Sequence, residues 1–477
     1  MGIVTFRDDD AFDVQLPLVI IGAGACGLVA ALAAHECGIE HVVLERDALP
    51  RGSTFMSSGF IPAAGTRFQA EKGVEDSAER MAADIQAKNG GEADPAIVQA
   101  LADYSGRVVE WLADTHGIPF ELVEGFLYPG HSRMRMHATP RRTGEELMGC
   151  LLNAAEAAGI DVLTQARVVD LHVDAERRVR GVTLERPDGS RESIGCDALI
   201  LACNGYGGNP ELVARYIPSL KEALYYGHEG NQGDALLWGE AMGASLKDLA
   251  ACQGHGSLAT PHQTLISWAL MMRGGIQVNR EGRRFSSEHG GYSEQAARVL
   301  AQPGGIAWNL FDARIHEAAL EFEDYRNAHE AGAVRTFDSL PAMAEGLGMP
   351  LAALQASFEE MHALVERGEP DAFGRIFSPE TLLAPPYHAI RVTGALFHTQ
   401  GGLEVDTRAR VLREDGAPLP NLFAAGGAAR GVSGSGDSGY LSGNGLLSAV
   451  VMGAIAGREA ARELLRVMAP ADTASGK

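Results

Sequence analysis

Three glycines set the first chemical possibility. Gly22, Gly24 and Gly27 stand as G-x-G-x-x-G directly after the apolar run 18–21 (LVII), and Glu45 closes the next apolar run, 41–45 (HVVLE). In that spacing the first glycine permits a tight turn. The second lets backbone N–H groups reach a pyrophosphate at a helix N-terminus, and the third lets helix and strand pack closely. An acid at the end of the second strand accepts from the adenosine ribose hydroxyls. The chemistry is dinucleotide binding.

For those glycines to act they must lie between a strand and a helix. LVII, GAGACG, LVAALAAHECG and HVVLE read in order as strand, turn, helix and strand, one βαβ unit. Residues 75–118 read as helices, with a clear amphipathic one ending at Gly117. TGEELMGCLLNAAEAAGI reads as another, opened by Thr143 with acids in its first turn. Three strand-like stretches follow over 161–203, and the PDG turn at 187–189 makes the middle pair a hairpin. From about 250 to 398 loops, histidines and aromatic residues increase. The strand–loop–helix style returns at GGLEVD and ends in the glycine-rich helix NGLLSAVVMGAIAGREAARELL. The expected organisation is a Rossmann-type α/β dinucleotide domain in two parts, 1–249 and 399–477, interrupted by an α+β capping domain, 250–398. The tail MAPADTASGK is expected to be disordered.

Composition narrows the classes. With 477 residues the chain is too long for one compact core. A net charge of −22 opposes binding to nucleic acid or to an anionic membrane surface. No stretch offers the roughly 18 uninterrupted apolar residues of a transmembrane helix, and the acidic start MGIVTFRDDDAFDV is not that of a secretory signal. The six cysteines are scattered without a CxxC pair, which suits reduced thiols in the cytoplasm and no metal site.

Segments 18–45, 196–209 (CDALILACNGYGGN) and 418–450, the last containing PLPNLFAAGGAARGVSGSG, together resemble the fumarate reductase / succinate dehydrogenase flavoprotein family. GSTFMSSGFIPAAGT, RMHATPRRTGEEL, NQGDALLWGEAMGA, GGIQVNREGRRFSSE and FHTQGGLEVD extend the resemblance over nearly the whole chain. It implies FAD rather than NAD, and a substrate held between cap and flavin. It implies cofactor contacts at Gly22, Gly24, Ala25, Cys26, Gly27, Glu45, Arg46, Ser53, Thr54, Ser58, Gly59, Val168, Ala202, Gly205, Asp234, Gly426, Gly443 and Leu446. Some members tie FAD covalently to a histidine in the loop after the first βαβ unit. Residues 51–58 (RGSTFMSS) hold none, so noncovalent FAD is expected.

The departures from the fumarate pattern concern substrate. His255 and His398 are kept, but Ser267 and Trp268 stand where fumarate reductases use a Thr-Glu pair. Tyr292 replaces the proton-delivering arginine, and Tyr440 replaces the arginine that clamps a carboxylate. A buried dicarboxylate without fixed positive charge is costly, whereas tyrosine suits a neutral ketone. GYLSG, with Tyr440 and Ser442, and Tyr292 are similar to the 4-ene-forming ketosteroid dehydrogenases; Tyr387 matches a ketone-polarising tyrosine of the 1-ene-forming branch. The resemblance thus implies desaturation of a cyclic ketone, a cyclohexanone as readily as a steroid. Tyr387 and the Gly402 N–H would hold the ketone oxygen. Tyr440, relayed through Ser442, or Tyr292 would remove the α-proton. His255 and His398 would orient substrate or relay protons. Arg391 or the arginines of 133–142 leave room for one carboxylate on the substrate. Electrons would pass to an external acceptor, a quinone or an electron-transfer protein. The alternative is an enoate or enone reductase running in the opposite direction; a subunit of a membrane quinone complex lacks its usual signs here.

Overall fold

The computed structural model describes residues 3–6, 11–125 and 127–468. The tail expected to be disordered lies, beyond Met468, outside the described residues.

The strand Val14–Ile21 turns at Gly22 into the helix Ala25–Glu36 and returns as the strand His41–Leu44, parallel to the first. Gly22 has φ +106, and a Cβ there would stand 2.5 Å from the Ala202 carbonyl oxygen. A Cβ on Gly27 would stand 1.8 Å from the Gly22 oxygen, so both are dictated by the packing of the turn itself. Gly24 is different. Its nearest neighbour would be Thr54 Oγ1 at 3.6 Å, so protein packing alone leaves room for a side chain there.

The strand Arg191–Leu201 lies parallel to Val14–Ile21 on its other side and parallel to Pro418–Ala424 beyond. These belong to a nine-stranded sheet. The PDG turn does close a hairpin, Val179–Glu185 with Arg191–Leu201, but the second arm continues unbroken into the central strand. What the sequence divides at Gly195 is one strand, whose outer half pairs antiparallel and whose inner half pairs parallel. The helices Ala78–Asn89, Pro95–His116 and Gly144–Ala157 stand where the sequence placed helices. Gly117 caps the second, and Thr143 caps the third by accepting from the Glu146 N–H.

A seven-stranded sheet, antiparallel but for one short strand, forms the cap around the long strand Tyr387–Thr399. Cys252–Ala259 and Ile306–Asp312 flank it, and the short strand Leu224–Tyr225, from an earlier part of the chain, also joins it. Inside the cap, Glu288 is fully buried between Arg284 and Arg375, and Arg284 also pairs with Asp371. Removing Arg284 would leave Asp371 without its ion-pair partner and Glu288 with a single arginine. Among the described residues no helix is long and apolar enough to cross a membrane.

Candidate active site

A cavity of about 490 Å³ runs between the two sheets and takes its lining from both. At one end are Gly22, Gly24, Ala25, Cys26, Glu45, Arg46, Ser53, Thr54, Ser58, Val168, Ala202, Asp234, Gly426, Gly443 and Leu446. The helix Ala25–Glu36 begins at Gly24, which has no side chain to cap it; Thr54 Oγ1 accepts the Ala25 N–H at 3.2 Å, and Gly24, Ala25 and Cys26 line the cavity at this helix start. Glu45 is held in place by two backbone donors, Ala23 N–H to Oε2 and Asp47 N–H to Oε1, both at 3.0 Å. Ser53 Oγ accepts from the amides of Asn204 and Asn231. In the first turns of the helix Asn444–Met468 the Asn444 amide and Ser448 Oγ are buried without a partner among the described residues. Such groups each cost about 1–3 kcal/mol, and Ser448 faces the cavity, where a dinucleotide could satisfy it.

Three residues expected at this cofactor are elsewhere. Gly27, Gly59 and Gly205 do not line the cavity. They are packing positions: a Cβ on Gly59 would meet the Thr143 carbonyl at 2.7 Å, and one on Gly205 would meet Thr399 Oγ1 at 2.0 Å.

The other end is aromatic. Tyr226, Phe397, His255 and Tyr292 form a pile of rings, with centroid separations of 5.1, 5.3 and 4.7 Å in that order. Trp268 meets both His255 and Tyr292 edge-on, its Nε1–H donating to the Glu288 carbonyl at 2.9 Å. Opposite stand Tyr440, 6.2 Å from Tyr292, and His398, 5.5 Å from Tyr440. His255, Tyr292, His398, Tyr440 and Ser442 are therefore brought together from four separate segments. Two expected partners are not. Tyr387 lies outside the cavity at the start of its strand, its ring against Phe358 at 5.6 Å. Gly402 also lies outside it, paired with Lys247 and close against Ala428. The strand Tyr387–Thr399 is simply too long for both its ends to reach the cavity: His398 does, Tyr387 does not.

Electrostatics sort the two phenols. Burial pushes Tyr440 up to about 12, while the N–H groups of Gly445 and Gly443 and the facing Tyr292 hydroxyl pull it back. The Gly445 N–H donates to Tyr440 Oη at 3.4 Å. Tyr292 is also held well above the usual phenol range, by burial first and then by the facing Tyr440, against the pull of its hydrogen bond with Ser442. The backbone N–H groups beside the Tyr440 oxygen are what favour its ionised form. Burial lowers His255 to about 3 and His398 to about 4, so both rings are neutral. In His255 the tautomer is fixed. Nδ1 accepts the Ser257 N–H at 3.1 Å, which leaves Nε2 carrying the proton. His131 Nε2 lies 3.0 Å from the Ser442 carbonyl and tethers that loop.

In the sequence Trp268 stands out only as a departure, and Tyr226, Phe397 and His131 do not stand out at all. Phe397 precedes His398 in FHTQGG, and that adjacency was the one available signal. Of the arginines at 133–142, Arg135 is buried against Asp76 and Asp84, and Arg133 is exposed. Arg141 and Arg142 reach the cavity rim, in loose pairs with Glu145, Glu323 and Glu121.

Residues 18–446 match the family model described as an FAD binding domain. The chain is 31% identical over 451 residues to a probable fumarate reductase of Shewanella frigidimarina, covering 94% of this chain and 75% of that one. It is 28% identical over 364 residues to a 4-oxocyclohex-2-ene-1-carboxylate 5-dehydrogenase of Sinomonas cyclohexanicum, covering 68% of this chain and 60% of the relative. The crystal structure of a 3-ketosteroid-Δ4-(5α)-dehydrogenase from Rhodococcus jostii superposes with a TM-score of 0.76 at 23% identity, covering 97% of this chain and all of that one. That last likeness is one of fold.

Proposed function

Because the chain belongs to the FAD-binding flavoprotein family of the fumarate reductases, and is accordingly an FAD-dependent oxidoreductase acting on CH–CH bonds, we propose that it desaturates a cyclic ketone to the α,β-unsaturated ketone. One observation carries the reading: Tyr292 and Tyr440 face each other beside the neutral His255, in an aromatic end of the cavity without a fixed cation between them. The dehydrogenase of a ring ketone among the relatives supports it.

His255 takes the role expected of Tyr387 and Gly402, neither of which lines the cavity. Its Nε2–H donates to the ketone oxygen and stabilises the developing enolate, as a neutral donor whose tautomer the Ser257 N–H has set in advance. The acidified α-proton passes to Tyr440, whose ionised oxygen is favoured by the N–H groups at the start of the C-terminal helix. The Tyr292 hydroxyl meets that oxygen and Ser442 meets Tyr292 in turn, so the proton passes onward along the three. Trp268 and Phe397 press the ring flat and exclude water. Bound FAD supplies the acceptor for the β-hydride, and an external acceptor, a quinone or an electron-transfer protein, reoxidises it.

Anaerobic oxidised enzyme mixed with cyclohexanone, 4-oxocyclohexanecarboxylate or a 3-ketosteroid tests the proposal: flavin bleaching by one of them is the expected result. The opposite direction, reduction of an unsaturated acid or ketone, is favoured by the likeness to a fumarate reductase. Bleaching by none of the saturated ketones, with reoxidation of reduced enzyme by fumarate or an enone, would establish that instead.

A further inference from the structure

The two tyrosines arrive from different parts of the molecule, Tyr292 from the cap and Tyr440 from the loop before the C-terminal helix. One helix end grips both. Lys88 lies in the last turn of Ala78–Asn89. Its Nζ crosses to the cap and donates to Glu294 Oε1 at 2.8 Å and to the Gly290 carbonyl at 3.0 Å. Next to it, Asn89 donates to the Val432 carbonyl at 3.2 Å, and Glu92 accepts the Ser435 N–H at 2.9 Å, holding the loop that runs to Tyr440. Ser293 ties the halves again, donating to the Asp437 carbonyl at 3.1 Å while accepting the Gly254 N–H.

The Lys88–Glu294 pair differs from the rim pairs. Its side chains are 12% and 9% exposed, whereas Arg141 and Glu323 stand 3.9 Å apart and half-exposed. Exposed pairs contribute little, but a nearly buried one leaves a costly lone charge when one partner is removed. The turn is built around that carboxylate. Gly291 has φ +142, and a Cβ there would stand 2.7 Å from Glu294 Oε2, so only glycine fits beneath it. Glu294 Oε2 has no partner among the described residues, which leaves Lys88 as the counter-charge that the carboxylate contacts. Tyr292 follows this turn directly.

We propose that Lys88 is a positioning residue: through Glu294 and Gly290 it holds the 290–294 turn so that the Tyr292 hydroxyl meets Tyr440. The inference rests on reading those phenols as the acid–base pair. In the FAD-loaded enzyme, Lys88→Met is expected to retain flavin and to keep KM for the ketone within about two-fold. Its kcat should fall on the order of ten- to a hundred-fold, the cost of a small misplacement of reacting groups. Lys88→Arg, which keeps the charge, recovers most of that loss. Without any substrate, backbone hydrogen exchange over 290–300 quickens in Lys88→Met and not in Lys88→Arg. Wild-type kcat in Lys88→Met, a change confined to KM, or unchanged exchange would each overturn the role of Lys88. Should no ketone bleach the wild-type flavin, the reaction assignment fails, and the exchange experiment still decides whether Lys88 holds the turn.

Discussion

The two ends of the cavity are made in opposite ways. The nucleotide end is mostly backbone: a glycine turn and a helix start within residues 22–27, joined by the strand-end Glu45 carboxylate and a few hydroxyls. The substrate end is side chain: rings from 226, 255, 268, 292, 397 and 440, with neutral histidines and buried phenols. A shared cofactor is met with shared backbone geometry. A particular substrate is met with side chains that can be exchanged without disturbing a strand or a turn, so one fumarate reductase framework can carry different pockets.

The contrast can be broken most severely at the nucleotide end. Gly22→Val forces a branched side chain against the Ala202 carbonyl at a positive φ. The protein is expected to purify without flavin, read as loss of its visible absorbance. At the other end Tyr440→Phe should keep flavin and ketone binding yet lower kcat on the order of a hundred- to ten-thousand-fold. In the unaltered enzyme the rate of flavin reduction should climb as pH rises towards the value of about 12, since the base acts only when deprotonated. His255 and His398, at about 3 and about 4, add no limb near neutrality. A flat profile across neutral pH would sink the phenol as base. His255→Leu is expected to cost a further-reaching but smaller factor, roughly a hundred- to a thousand-fold in kcat, by removing the donor to the enolate oxygen. Least affected is Tyr387→Phe: outside the cavity, it should leave kcat within about two-fold. A loss of a hundred-fold there would restore Tyr387 to the mechanism and displace His255.

Much of the fold was legible because its signals are local. The G-x-G-x-x-G turn, the Thr143 cap and the hairpin at 187–189 each depend on neighbours a few residues away. The candidate site was legible only in part. His255, Tyr292, His398, Tyr440 and Ser442 were found because they sit in segments resembling a family, and the structure brings them to one place. Tyr387 was named on the same grounds and lies outside the cavity, because a matching residue type carries no information about which end of a thirteen-residue strand reaches it; Gly402, beyond the other end of that strand, is drawn off by its pairing with Lys247.

What the sequence determined by itself was the dinucleotide turn and the α/β framework with its interrupting cap, from spacing and residue type; the tyrosines at 292 and 440 stand out only against the arginines that the family resemblance implies there. That the two phenols face each other, which nitrogen of His255 carries its proton, and that Lys88 grips the turn before Tyr292 were decided only by the tertiary structure. Burial, a backbone N–H at hydrogen-bond distance and an ion pair spanning 206 positions are relations between segments, and no single segment encodes them.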